Sequence, residues 1–219
     1  MSSPPTPPLT DSTPQVDEAL LAPYHGRKVA QTIKQIYHEQ QTSQHCAVHT
    51  INNILQRRAF TTKDFDEIAM QCSPDSWVNP HKSIFGTGNY DANVLLAALS
   101  IHSGLPTTWF NRKKQRLASL DTSKLAGIII NVISSSFLWW ETRHWLPLVP
   151  IMYQRPPTAE QPEEQPLKEL WFNLNPCLDD PTKVDLIPYL EAFEKKDKDA
   201  IFIFVLLPGV KDNEIWLPQ

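Results

Sequence analysis

The hydrophobic period of this chain changes once, near residue 105, and that change restricts the folds available to it. Before it the apolar spacing is helical. Ala47, Ile51, Ile54 and Leu55 fall near one face of Cys46–Arg57, and Phe65, Ile68 and Ala69 do the same within Thr62–Gln71. Asn89 or Asp91 can cap a third helix, whose stripe of Val94, Leu95, Ala98 and Leu99 precedes a terminating Gly104. After it come short β-branched, aromatic or aliphatic runs at Thr107–Phe110, Gly127–Ile133, Trp145–Pro150, Leu170–Leu174 and Ile201–Leu207, interrupted by one helix near Val184–Phe193. Helices first and strands later, without regular alternation, predict an α+β domain with a mainly antiparallel sheet.

Composition locates what lies outside that domain. The 219 residues hold 20 prolines and 6 glycines, an excess of proline and a deficit of glycine. Six prolines fall in the first 23 residues, and Pro156, Pro157, Pro162 and Pro166 fall in Gln154–Lys168. The expected division is a disordered tail over 1–27, a domain over 28–210 with a proline-rich loop at 154–168, and a tail over 211–219. A net charge of −4 lacks the basic footprint of a nucleic-acid binder. The first residues carry no signal-peptide pattern, and no apolar run approaches bilayer length. Three cysteines make too sparse a set for a disulfide scaffold. The expectation is a monomer of the cytoplasm, also nuclear, with no integral membrane segment.

Of the three, Cys46 has the surroundings of a nucleophile. It opens a helix, where unpaired amides favour a thiolate, after a polar segment lacking bulky aliphatics. Cys72 and Cys177 fit better as small buried residues. Acyl chemistry also needs a base that protonates the leaving amine. His38, His45 and His49 crowd the cysteine as scaffold candidates, whereas His144 opens the strand His144–Val149 and can be presented rigidly. On Trp171–Asn175, Asn173 and Asn175 share a face, and Asn175 at its end can fix the imidazole tautomer. A metal site at Cys46-x-x-His49 would have only one close-spaced ligand pair, so no metal or other cofactor is expected.

These residues resemble a known family. Tyr37-His38-Glu39-Gln40-Gln41, then Cys46-Ala47-Val48-His49-Thr50-Ile51-Asn52-Asn53-Ile54-Leu55-Gln56, is similar to the nucleophile segment of the Josephin domain of ataxin-type and small stand-alone deubiquitinases. Asn79–Ser83, Gly86–Asp91, Ala97-Ala98-Leu99, His144-Trp145 and Phe172–Asn175 resemble its later blocks in the same order. The resemblance implies a papain-like fold and hydrolysis of (iso)peptide bonds at the ubiquitin C-terminus. It implies ubiquitin, polyubiquitin and ubiquitinated proteins as partners. Cys46 would be nucleophile, His144 base and then acid, Asn175 the orienting residue, and Gln41 an oxyanion donor. Asn175 resembles the ataxin branch, since the small Josephins carry aspartate there. His45 replaces an apolar residue and is expected to face solvent. A catalytically weak ubiquitin-binding adaptor is the alternative with the same fold.

Overall fold

A computed structural model describes residues 27–41, 45–72, 90–135, 141–154, 157 and 166–218. The expected disorder of residues 1–26, the Asn79–Asn89 motifs and most of the 154–168 loop lie outside the described residues. The elements are β1 (Val29–Ala30), α1 (Cys46–Ile54), α2 (Thr62–Cys72), α3 (Ala92–Ser103), β2 (Thr107–Trp109), β3 (Leu125–Ser135), β4 (Glu141–Tyr153), β5 (Lys168–Asn173), β6 (Thr182–Val184), α4 (Leu186–Lys196) and β7 (Ile201–Leu206). The helix boundaries have local causes. Asp91 accepts the Asn93 and Val94 amides at the start of α3, and Gly104 ends it at φ 65°, a conformation that costs glycine little.

The sheet runs β2-β7-β3-β4-β5-β6, with β1 also against β4. Every described pair is antiparallel except β1 with β4. Side-chain alternation divides the core in two. Ile129, Trp145, Val149, Phe172 and Ile203 pack with α1, α2 and α3 on one face. Ile128, Leu146, Leu148, Phe202 and Phe204 pack with Leu186 and Leu190 of α4 on the other. Each such fully buried side chain contributes roughly 1.5–3 kcal/mol relative to exposure. At Gly127 a Cβ would stand 2.5 Å from Ile54 Cδ1 and 3.1 Å from the Leu148 carbonyl. That lets α1 approach the sheet closely. No helix among the described residues is long and apolar enough to cross a membrane.

Two expected boundaries are corrected. Residues 211–218 are not a tail: a 3-10 turn at Asp212–Ile215 buries Ile215 completely, and Trp216 bridges Leu120 and packs on Phe204. Two large apolar side chains in so short a segment gain more from burial than from solvent. Arg27, assigned to the N-terminal tail, is built into the domain. Its guanidinium donates to the carbonyls of Thr122, Ser123 and Leu125 and pairs with Glu169.

Candidate active site

The length of β4 places the base candidate. Residues 141–148 of β4 pair with β3, and residues 148–153 pair with β5. Beyond residue 148 toward its start, β4 is thus free on the β5 side. Asn173 stands opposite Leu148, so the chain leaving β5 continues along that free edge, and the Leu174 amide donates to the Pro147 carbonyl. Antiparallel counting then carries residues 175–177 toward 146–144, which brings Asn175 and Cys177 beside His144.

His144 Nε2 lies 2.7 Å from Asn175 Oδ1. The Cys177 amide donates to the same oxygen at 2.9 Å. A backbone N–H can only donate, so the atom between them is the amide oxygen and His144 Nε2 carries the proton. Nδ1 is therefore the basic nitrogen of the neutral ring. Two bonds brace the Asn175 backbone, and one of the partners is itself held. Its backbone N–H donates to Asn173 Oδ1 at 2.9 Å, His38 Nε2 donates to its backbone carbonyl at 3.1 Å, and Asn173 Nδ2 donates in turn to the Tyr189 hydroxyl at 3.0 Å.

Cys46 is the first residue of α1 and only 4% exposed. Burial pushes its thiol up; the Trp145 and Ala47 amides oppose that shift without reversing it. The expectation of a thiolate favoured by the helix N-terminus is thus corrected, because desolvation outweighs the donors there. The Trp145 amide aimed at the sulfur also places Cys46 beside the residue that follows His144. Nearby, the Thr50 hydroxyl donates to the Trp145 carbonyl at 3.1 Å, which ties α1 to β4 one turn after the thiol.

Cys177 also differs from expectation. It is exposed, and its sulfur lies 3.8 Å from His144 Nε2. His45 is half-buried at the start of α1. Trp145 is core, its indole N–H on the Tyr90 carbonyl at 3.0 Å. Gln41 donates its backbone N–H to the Pro176 carbonyl at 2.8 Å, which seats it against the Asn175 turn. Its Oε1 is buried without a partner among the described residues.

A polar cluster without a periodic signature in the sequence gathers around Glu39, beside α1. Glu39 accepts from the Tyr37 hydroxyl, from His49 Nδ1 at 2.7 Å and from Asn52 Nδ2 at 3.0 Å. The Nδ1 side of the His49 ring is therefore directed to Glu39. Burial pushes the Glu39 carboxyl up, but the three donors outweigh it and hold the group below the usual range. A lowered carboxyl stabilises the fold above the ordinary glutamate value near about 4.3, and that contribution is lost as pH falls through its lower folded value. Glu39→Gln should thus cost about 1.5–3 kcal/mol at neutral pH. Urea unfolding at several pH values should show the gap to wild type closing under about pH 4; a gap independent of pH would mean the carboxylate charge contributes nothing.

A family model described as Josephin matches residues 41–206. Human Josephin-2 is 42% identical over 118 residues, covering 52% of this chain and 62% of that protein, and mouse Josephin-2 matches equally. A Josephin-like protein of Drosophila melanogaster is 36% identical over 120 residues, covering 52% of this chain and 53% of that one. The chain thus spans less than two thirds of the length of the relatives it matches. With helices preceding a mainly antiparallel sheet in the papain-like α+β arrangement, the chain belongs to the Josephin family, which is cysteine-protease-like and associated with deubiquitinases.

Proposed function

We propose that this chain is a cysteine-type ubiquitinyl hydrolase acting through Cys46, His144, Asn175 and Gln41. The observation that carries the reading is the doubly donated Asn175 Oδ1, which leaves His144 Nδ1 as the basic atom. Nδ1 takes the Cys46 thiol proton as sulfur attacks the carbonyl of the bond to ubiquitin's C-terminal glycine. The negative charge that develops on that oxygen is met by the Cys46 amide and the Gln41 side-chain amide, donors of a kind worth about 2.7–4 kcal/mol each in barrier. His144 then protonates the leaving amine, and the thioester is hydrolysed by water with His144 again as base. Asn175 holds the ring in its Nε2–H tautomer and stabilises the imidazolium throughout.

A second reading rests on the burial of Cys46. A thiol 4% exposed and pushed up by desolvation fits a ubiquitin-binding adaptor with weak turnover. A ubiquitin probe ending in a vinyl electrophile separates the two. Labelling of wild type, absent in Cys46→Ala, supports the hydrolase. Ubiquitin binding measured by calorimetry without labelling supports the adaptor, and neither result would sink both.

A further inference from the structure

Residues 37–41 form an extended strap whose partners alternate. Tyr37 and Glu39 face α1 and the turn after it: Gln56 Oε1 accepts the Tyr37 amide at 3.1 Å, and Gln56 Nε2 donates to the Tyr37 carbonyl at 3.2 Å. His38, Gln40 and the Gln41 amide face the turn after β5, bonding to Asn175, Asp179 and Pro176. The strap therefore joins the candidate nucleophile helix to the candidate orienting loop, and the candidate oxyanion donor sits at its end.

Glu39 is the residue most heavily fixed in it. Besides the three donors on its carboxylate, its backbone N–H donates to Asn53 Oδ1 at 2.6 Å and its carbonyl accepts from Asn53 Nδ2 at 3.2 Å. Asn53, wholly buried, also donates to the Leu174 carbonyl at 3.0 Å. Nδ2 has two hydrogens and both are used, while Oδ1 holds the Glu39 amide. One side chain thus ties strap, helix and loop together. Gln41, two residues on, has its side-chain Oε1 buried without a partner among the described residues. The direction of its amide is inherited from the backbone that carries it.

We propose that Glu39 is a positioning residue for acyl transfer at Cys46: anchored through His49, Asn52 and Asn53, it aims the Gln41 amide at the developing oxyanion. The proposal rests on the acyl-transfer reading above and deepens it. It requires that Glu39 affect reactions which pass through an oxyanion and spare those which do not. Acylation by p-nitrophenyl acetate forms a tetrahedral oxyanion on the way to the thioester. Alkylation by iodoacetamide displaces iodide from carbon and forms none.

Both reactions are run on the full chain, with acylation corrected by Cys46→Ala and alkylation read as the modified Cys46 peptide by mass spectrometry. Glu39→Ala should lower Cys46-dependent acylation about ten- to a hundred-fold while alkylation of Cys46 stays within about two-fold. Glu39→Gln, which keeps an acceptor for the Tyr37 hydroxyl, should recover most of the acylation. Equal loss in both reactions would assign Glu39 a general structural role and overturn the proposal, as would unchanged acylation. If Glu39→Ala does not fold, His49→Ala removes one donor from the carboxylate and should show the same split at smaller amplitude; its absence overturns the proposal too. A wild type that acylates but cleaves no ubiquitin C-terminal amide would remove the ubiquitin reading alone, leaving the Glu39 split to support or overturn positioning. A wild type with no Cys46-dependent acylation overturns both.

Discussion

Replacing His144 by alanine should lower cleavage of a fluorogenic ubiquitin C-terminal amide at pH 7 by about 10²–10⁴-fold, the contribution typical of a positioned general base and acid. The residual activity should climb with pH. Burial raises the Cys46 thiol, so without an imidazole to take its proton the thiolate appears only as pH rises past an already elevated value. Wild type should lack that alkaline climb, because His144 Nδ1 removes the proton at neutral pH. Asn175→Ala should lose less, since His144 keeps its position on β4 and forfeits only its 2.7 Å acceptor. A His144→Ala variant whose residual rate is flat with pH would mean the thiolate forms without the imidazole, and the assignment of Nδ1 as base would fall.

How far the sequence shows this site depends on whether a residue's role is local. Helical spacing around Ile51 and Phe65, the Asp91 cap and the Gly104 stop are local properties, and the structure has them where they were expected. His144 and Asn175 could be named because each stands near the end of a well-patterned strand. The two-residue β1 and three-residue β6 carry no period to read. The closeness of Cys177 to His144 follows from the Asn173–Leu148 register, which no single segment encodes. The Glu39 cluster is hidden from the sequence for a related reason. Tyr37–Gln41 reads as a polar stretch without a period, and its meaning lies in partners 10–19 residues away on α1 and the turn after it, together with a turn 137 residues on. The thiol's direction differs from the helix-terminus expectation because helix position is visible in sequence and desolvation is not.

Arg27→Ala should lower the unfolding free energy by about 3 kcal/mol, measured by urea denaturation, an effect set by removing one partner of a buried charge network. The Arg27 side chain is 5% exposed and Glu169 24%, so its loss leaves a poorly solvated carboxylate and three carbonyls without their donor. Those carbonyls belong to the 3-10 turn at Thr122–Lys124 and the start of β3, whereas Glu169 lies on β5. One guanidinium therefore joins the entry to the central strand with the strand that leads to Asn175. Arg27→Lys should recover only part of the loss, since an ammonium keeps the charge but lacks the planar fork that serves several acceptors at once. Removing residues 1–26 should leave stability within about 0.5 kcal/mol of wild type, while removing 1–27 should match Arg27→Ala. If both truncations unfold at the wild-type urea concentration, Arg27 contributes nothing to the fold, and the domain begins where the proline-rich composition alone would place it.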